Sequence, residues 1–513
     1  MKKFPIGIQS FREIITKNFL YIDKTQDIFA LLESGKFFFL ARPRRFGKSL
    51  LLSTIREIFT GNKELFQGLW IENQWNWQKK HPVIHIGFSS IGYKELGLAK
   101  AIEIRLNEIA SEHGIVLQKE GISQQFEELI KSLSAQNQTV LLIDEYDKPI
   151  IDFLGKDLEK AKEHQQILKT FYSVIKDSDP YIRFLLITGV SKFSKVSIFS
   201  ELNNLFDITL NRKYVNLLGI TEAEISHDLA EYLPEIAKRQ NLSIDQLREK
   251  IRTWYNGYSW DGENFVYNPF SLLVFLDEQD FRNYWFETGT PTFLLDLMRE
   301  ENFYQVEQLS VDSLAFSSYD IERLRIIPIL FQTGYLTIKA KAELGQFILD
   351  YPNKEVRDAM YGSLLGDLRK EEPSLSSTFI IRLRKAFYAN DLPLIIDLLK
   401  SLFAKIPYDI FIANQEAYYH SLLYITFQFL GSYAAAEVNT HRGRIDVTLE
   451  TPTDVYIIEF KLDDTAEAAL KQIKQNAYYE KFLDREKQIR LLGIAFSSKE
   501  KSISDWKLEM KNQ

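Results

Sequence analysis

The chain has 513 residues, with 63 basic side chains, 70 acidic side chains and a formal net charge of −7. This is more residues than one domain with a single hydrophobic core usually contains, so we expect two or three domains. The absence of cysteine excludes disulfides and thiolate metal sites and suits a reducing cytoplasm, the location that we expect. The start of the chain lacks the apolar run of a secretory signal, and no apolar stretch is long enough to predict a membrane span. The charge balance does not indicate a nucleic-acid protein, but it is compatible with a local basic groove.

The first chemical motif is a basic loop between an apolar strand and a helix. Residues 37–40 predict the strand, and Gly47-Lys48-Ser49 opens a helix predicted over residues 48–59. Backbone N–H groups, a helix N-terminus and a lysine in this order bind phosphates, and the serine hydroxyl is a ligand for Mg²⁺. The usual pattern has glycine where this chain has Arg42. The Gly-Lys-Ser triplet alone therefore leaves an ordinary helix start as the alternative.

A second motif lies in residues 139–147, where a buried strand leads into two acids, Asp144 and Glu145. In an ATPase, the first acid holds Mg²⁺ and the second polarises the attacking water. The alternative is a core strand that ends in a solvated acidic turn. Because both motifs occur in one chain, we predict an ATP site with Mg²⁺ as its metal, and Glu145 as its catalytic residue. The predicted nucleotide-binding residues are Arg45, Phe46, Gly47, Lys48, Ser49, Leu50, Asp144 and Thr188.

Further apolar strands alternate with helices in the same half of the chain. Strands are predicted at residues 83–88, 183–187 and 205–210, and helices at residues 97–112 and 123–134. This alternation is typical of a mostly parallel sheet covered on both faces. Thr188 follows the strand 183–187, where a polar side chain in some P-loop ATPases contacts the γ-phosphate. A cap on the following segment is the alternative role for Thr188.

The last hundred residues predict a second α/β arrangement. Its predicted elements, in chain order, are a helix at 415–430, strands at 434–439, 444–449 and 455–462, a helix at 466–482 and a strand at 489–496. The period of two places Glu459 and Lys461 on one face of their strand, and Asp446 lies across the hairpin. We therefore expect two carboxylates and an amine to converge at one end of the sheet.

Such a set suits metal-assisted cleavage of a phosphodiester. Asp446 and Glu459 are predicted to bind Mg²⁺ together with the Phe460 carbonyl, and Lys461 to orient the water or offset charge in the transition state. Glu416 on the preceding helix would add a carboxylate, and Gln472 on the following helix would support the site. The alternative is an ordinary strand with alternating charges on a solvated face.

In combination, these stretches resemble the bacterial AAA-ATPase-like proteins that carry a C-terminal PD-(D/E)xK nuclease-superfamily domain. The resemblance rests on residues 21–25, 42–49, 142–149, 188–194 and 255–258, and near the C-terminus on residues 443–446, 458–461 and 469–473. It implies an α/β fold class: a P-loop NTPase parallel sheet of the ASCE/AAA-like type, a helical lid region and a restriction-endonuclease-like α/β domain. The resemblance also implies that the departure from glycine at Arg42 is shared by the group and does not mean lost binding.

The corresponding domain prediction has four parts. The P-loop ATPase core covers residues 1–215, a helical lid or winged-helix-like region covers 216–289, a connecting and mostly helical region covers 290–404, and the nuclease-like domain covers 405–513.

Three functional hypotheses follow. The first is an ATP-regulated, Mg²⁺-dependent nuclease that acts on DNA as an assembly of identical chains without a membrane partner, with roles in defence or mobile elements implied only by analogy. The second is an ATP-driven assembly switch whose nuclease fold is non-catalytic and binds only nucleic acid or a protein partner. A DNA motor ranks last, because no helicase motif beyond the ATPase pair is recognisable.

Overall fold

The computed structural model describes residues 1–192, 198–199, 202, 204–285, 292–301, 303–316, 324–404, 416–431, 434–440 and 443–511. Side chains are not described for residues 292, 416–421, 434–440 and 443–444. The chain forms two compact units, Met1–Gly289 with Gln305–Val356, and Thr290–Tyr304 with Arg357–Gln513. Each unit is treated by itself below, and the four-part domain division stays a prediction.

The first unit is built on a parallel sheet. Its strands are β1 (Phe37–Ala41), β2 (Val83–Gly87), β3 (Thr139–Asp144), β4 (Ile182–Gly189) and β5 (Phe206–Asp207). They lie in the order β2-β3-β4-β1-β5, and every neighbouring pair is parallel. Because β4 lies between β1 and β3, the carboxyl ends of these three strands meet at one edge of the sheet. The strand predicted at 205–210 is shorter than expected.

Eight helices of the described residues accompany this sheet. They are α1 (Phe11–Thr16), α2 (Thr25–Ser34), α3 (Lys48–Phe59), α4 (Tyr93–Leu96), α5 (Leu98–Glu112), α6 (Ile122–Leu133), α7 (Lys148–Ile151) and α8 (Leu158–Tyr172). The helices bury apolar stripes at helical spacing, as Phe126, Leu129 and Ile130 do on α6. Strands β1 and β3 are buried along their whole length, which explains their continuous apolar sequences.

A helical lid follows the sheet. We use this name for residues 221–278, which contain α9 (Glu222–Asp228), α10 (Leu233–Gln240), α11 (Ile244–Tyr255) and α12 (Pro269–Glu278). Thr221 and Glu224 form both hydrogen bonds of a capping box at the start of α9. Buried residues of the lid, including Leu229, Tyr255 and Phe275, belong to one core cluster.

A small antiparallel sheet lies in the stretch predicted as connecting. Helix α13 (Thr292–Glu300) belongs to the second unit, whereas α14 (Ile326–Thr333) and the strands β6 (Leu309–Val311), β7 (Thr337–Lys341) and β8 (Phe347–Asp350) belong to the first. The strand order is β6-β8-β7. We name residues 324–356 the buttress, because they include the turn that packs on the basic loop described below.

The second unit combines helices with a mixed sheet. Its further elements are most of α15 (Lys354–Arg369), then α16 (Pro373–Tyr388), α17 (Leu392–Ala404), α18 (Glu416–Phe429), β9 (Ala434–Thr440), β10 (Gly443–Glu450), β11 (Asp454–Leu462), α19 (Ala466–Gln475), β12 (Gln488–Ser497) and β13 (Ser502–Lys511). The order is β13-β12-β11-β10-β9, in which only the β11–β12 pair is parallel. The predicted order of elements from α18 to β12 is confirmed.

Two details of the second unit differ from the prediction. The helix expected over residues 466–482 ends at Gln475, and a 3₁₀ turn covers Tyr478–Phe482. Strand β13 was not predicted: six of its ten residues are charged or polar, and the alternating apolar side chains Trp506, Leu508 and Met510 are exposed or only half-buried. Within the described residues, no helix has the length and apolar character that crossing a bilayer requires.

A glycine at the junction between lid and buttress gives a stability prediction. Gly257 has φ of 109°, and an added Cβ would overlap the Pro352 carbonyl oxygen. We expect Gly257→Ala to lower the free energy of unfolding of the first unit by about 3 kcal/mol or more. Gly114 also has positive φ, but its Cβ would meet open space, so Gly114→Ala should cost only about 1 kcal/mol. Urea denaturation compares the two, and equal losses would contradict the proposed clash.

Candidate functional site

The loop between β1 and α3 brings a lysine back onto its own backbone. Gly47 is the N-cap of α3 and has φ of 91°, a conformation that favours glycine. The Lys48 side chain is buried, and its Nζ donates to the carbonyls of Arg42 and Pro43, each at 2.9 Å. The loop therefore encloses an ammonium group beside the N-terminus of a helix, an arrangement that suits phosphate oxygens.

Asp144 is the meeting point of the two predicted ATPase motifs. Its Oδ2 accepts from the Ser49 hydroxyl at 2.5 Å, and its Oδ1 accepts from the Thr188 hydroxyl at 2.7 Å. These residues follow β1, end β3 and lie within β4, three neighbouring parallel strands. The Thr188 hydroxyl thus lies beside Asp144, and its contact with the γ-phosphate stays a prediction. A carboxylate beside a hydroxyl is an oxygen donor set that suits Mg²⁺.

Glu145 lies between two hydrogen-bonded acids, Asp144 and Asp147. Its φ is 51°, a left-handed value uncommon for a residue other than glycine. On its C-terminal side, Asp147 accepts from the backbone N–H groups of Val190 and Ser191, at 2.9 and 2.6 Å. Burial raises the pKa of Asp147 to about 6. These bonds tie the segment after β3 to the segment after β4 and hold Glu145 in its strained conformation.

Two cavities adjoin the loop. The larger, about 610 Å³, is lined by cationic and acidic groups that include Arg44, Arg45, Lys48, Glu145 and Lys148. The smaller, about 110 Å³, is mostly apolar and is lined by Tyr21, Leu50, Leu217 and Ile220 among others. Gly47 and Leu50 line both cavities, so a polar compartment and an apolar compartment share one wall. Lys148 was not predicted from the sequence, although it follows the acidic motif closely.

The buried Arg42 explains the departure from the glycine pattern. Its guanidinium lies 3.8 Å from the ring centroid of Trp260, and its Nη1 donates to the carbonyls of Ala41 and Thr209. Burial lowers the pKa of Arg42 to about 9. Arg42 is thus a structural residue that joins the loop to the stretch after the lid helix α11.

Other loop residues are held in the same way. Phe46 is 1% exposed and packs edge-on against Tyr258 and Trp260, so only its backbone is placed to meet a phosphate. A Cβ on Gly334 would approach the Pro43 ring to 2.7 Å, which shows how closely the buttress packs there. The aromatic side chains of Tyr258 and Trp260 therefore pack the basic loop.

The predicted residues of the second unit converge on a second site. The register of β10 with β11, which pairs Val447 with Ile458, places Asp446 across from Glu459. Asp446 Oδ2 accepts from the backbone N–H of Phe460 at 2.8 Å. Gln472 on α19 links the other two residues: its Nε2 donates to Glu459 Oε1, and its Oε1 accepts from Lys461 Nζ at 2.6 Å.

Glu459 carries the main electrostatic cost of this site. It is 1% exposed, and within the described residues its Oε2 has no hydrogen-bond partner. Burial and the nearby Asp446 carboxylate raise the pKa of Glu459 to about 8, against an opposing effect of Lys461. A buried carboxyl oxygen without a hydrogen-bond partner favours the binding of a cation beside it.

The metal ligands of this site are few. No group of three or more His, Cys, Asp or Glu that could hold a metal occurs in the part of the chain that the structure describes. The candidate oxygen donors for a metal remain the ones predicted from the sequence, namely Asp446, Glu459 and the Phe460 carbonyl. The side chain of Glu416 lies outside the described residues, so its predicted contribution stays a prediction.

The comparisons with known proteins agree with this architecture. The family model described as predicted AAA-ATPase matches residues 5–199, and that of the PD-(D/E)XK nuclease superfamily matches residues 414–506. The chain is also 40% identical, over 527 residues and 99% of both chains, to an Azotobacter chroococcum mcd 1 protein named as an uncharacterized protein in the vnfD 5′ region. The chain therefore belongs to the family of AAA-ATPase-like proteins with a C-terminal PD-(D/E)xK nuclease-superfamily domain.

The raised pKa of Glu459 gives a pH prediction for the metal-free protein. Between its ordinary pKa of 4.5 and about 8, the folded carboxyl keeps a proton that the unfolded carboxyl releases. Stability around β10 and β11 should therefore fall as pH rises through this window, by at most about 1.4 kcal/mol per pH unit. Glu459→Gln should remove this dependence.

Hydrogen exchange of backbone amides in β10 and β11 measures the effect. At each pH the wild type is compared with Glu459→Gln, so that the intrinsic pH dependence of exchange cancels. The protection of the variant relative to wild type should grow from pH 5 to pH 8, and Mg²⁺ should reduce the difference. A difference that stays constant with pH would show that Glu459 ionises normally.

Proposed function

We propose that this protein binds and hydrolyses ATP and that nucleotide state controls Mg²⁺-dependent cleavage of DNA by its second unit. The observation that carries the proposal is the pair of convergences in one chain. Lys48, Ser49, Asp144 and Thr188 gather in the first unit, and Asp446, Glu459, Lys461 and Gln472 gather in the second. The family membership supports the combination of an ATPase with a nuclease-type domain.

In the ATP site, Lys48 and the backbone of residues 45–50 bind the phosphates. Lys48 exchanges two neutral carbonyl acceptors for charged phosphate oxygens, which are stronger acceptors. Ser49 and Asp144 hold Mg²⁺, which neutralises phosphate charge when it is bound. Thr188 keeps Asp144 oriented and lies within reach of the terminal phosphate.

Glu145 acts on the attacking water. Its carboxylate accepts a proton from that water as the water oxygen bonds to the γ-phosphorus of ATP. The bond between this phosphorus and the β–γ bridging oxygen breaks, and ADP leaves. The hydrogen bonds of Asp147 to the segment after β4 keep Glu145 in position. The apolar cavity beside Leu50 receives the base, because a planar base buries well among Tyr21, Leu217 and Ile220.

In the nuclease site, Asp446, Glu459 and the Phe460 carbonyl hold Mg²⁺. Mg²⁺ bound there would supply Lewis-acid chemistry for phosphodiester cleavage. Gln472 fixes the Lys461 ammonium, and this ammonium stabilises negative charge that develops on the phosphate oxygens. Glu416 supplies a further carboxylate. We take DNA as the substrate and an assembly of identical chains in the cytoplasm as the working form, with defence or mobile-element roles by analogy.

One observation favours a second candidate function. The described part of the nuclease site has two carboxylates, and no larger cluster of metal-ligating side chains is found among the described residues. A site with too few ligands binds DNA or a protein partner without cutting. In that case the protein is an ATP-driven assembly switch, and Asp446→Ala leaves ATP-dependent assembly and cellular function unchanged.

Nucleotide binding is tested first. Lys48→Ala should weaken ATP binding about a hundredfold or more, because it removes a charge-assisted contact to phosphate. Glu145→Gln should bind ATP normally but hydrolyse it about a hundredfold more slowly or worse. Equilibrium dialysis with labelled ATP and a phosphate-release assay separate the two effects. Lys63→Ala removes the same charge from an exposed position outside the loop. It serves as the control and should match wild type.

Cleavage is tested with Mg²⁺, ATP and supercoiled or linear DNA. Lys461→Ala should lower the rate of cleavage by about 10²- to 10³-fold, the usual effect of losing an electrostatic stabiliser. Lys471→Ala removes the same charge from an exposed position on α19 and should leave the rate unchanged. Equal cleavage by Lys461→Ala and wild type would reject the nuclease assignment, and absence of cleavage by wild type with any divalent metal would favour the switch.

A further inference from the structure

The loop arginine Arg45, predicted above to bind nucleotide, contacts an aromatic ring of the lid. Its guanidinium lies 3.7 Å from the centroid of the Phe270 ring, and its backbone has φ of 65°. Phe270 is the second residue of α12, the lid helix whose first turn is capped by Asn268. Arg45 and Phe270 both line the polar cavity together with Lys48 and Ser49.

The Arg45–Phe270 contact is easily exchanged for another. Arg45 is an exposed residue, and a cation–π contact at an exposed site is weak because water competes for the cation. A charge-assisted contact between a guanidinium and phosphate is stronger and bidentate. A triphosphate in the cavity therefore offers Arg45 a better partner than the ring does.

The backbone of Arg45 indicates why this side chain is available. Left-handed backbone is uncommon outside glycine and asparagine, so an arginine at φ of 65° carries strain. The following Phe46 is fixed by Tyr258 and Trp260, and the preceding Arg44 carbonyl accepts from Trp285 Nε1 at 3.3 Å. With both neighbours held, the Arg45 backbone is fixed and its side chain is what can move between ring and phosphate.

We propose that Arg45 leaves Phe270 for the terminal phosphates when ATP binds, which makes Arg45 a phosphate-contacting residue that frees the start of the lid helix. This inference rests on the proposed ATP site. The exchange couples the presence of β- and γ-phosphates to the lid, because AMP does not reach the place where Arg45 would contact a terminal phosphate. The binding of ATP then includes the cost of breaking the contact with Phe270.

A double-mutant cycle on the full chain tests the exchange. The proteins are wild type, Arg45→Asn, Phe270→Leu and the double variant, and the probes are ATP and AMP with a fluorescent ribose label. Asparagine tolerates the left-handed backbone, and leucine keeps an apolar side chain at the start of α12. We expect Arg45→Asn to weaken ATP binding about tenfold and to leave AMP binding unchanged.

Phe270→Leu should tighten ATP binding in the wild-type background, because Arg45 no longer has to leave a ring. In the Arg45→Asn background the same change should have no effect. Arg44→Asn is the matched control, since it removes the same charge from the same cavity, and its effect should not depend on residue 270.

Two outcomes overturn the exchange. One is ATP binding by Arg45→Asn that equals wild type, and the other is an effect of Phe270→Leu that is the same in both backgrounds. If either occurs while wild type binds ATP, the proposed ATP site stands and only the exchange is rejected. If wild type binds no ATP, the proposed function itself is rejected, and the exchange with it.

Discussion

The first unit depends on one carboxylate that accepts from hydroxyls of two other chain segments. Asp144 can accept from Ser49 and Thr188 only because β4 lies between β1 and β3. A change in the order of these parallel strands, or a shift of one residue in their register, would separate the three side chains. The buried apolar strands that fix this order are therefore as necessary to the site as its polar groups are.

Each site contains an ionisable side chain that is buried away from water. The desolvation of this side chain is compensated differently in the two sites. Arg42 is stabilised by the Trp260 ring and two carbonyls, and its pKa still falls to about 9. Glu459 has Gln472 as a partner, and its pKa rises to about 8. The first arrangement gives the basic loop a fixed shape. The second leaves an acid that binds a proton or a cation, which is the property that a metal ligand needs.

Much of the fold could be predicted because its signals are local. The apolar run of β1, the Gly47-Lys48-Ser49 triplet and the acids after β3 identify themselves within a few residues. The alternation along β11 likewise placed Glu459 and Lys461 on one face, and the structure brings them together with Asp446 and Gln472. The catalytic roles of these residues stay predictions.

The Arg42–Trp260 stack could not be predicted, because its partners are distant in sequence and no short pattern joins them. The strands β6, β7 and β8 have only three to five residues each, so each gives a weak local signal, and β13 is largely polar.

Strand β13 has a consequence for how copies of the chain can meet. It forms one border of the mixed sheet and carries charged residues along its length, with Lys507 paired to Glu467 and Glu509 paired to Lys474. A strand from another molecule would have to strip water from these ions before it could add to the sheet. This border therefore resists continuous sheet growth between molecules, and association through side-chain surfaces elsewhere on the chain is favoured over strand addition there.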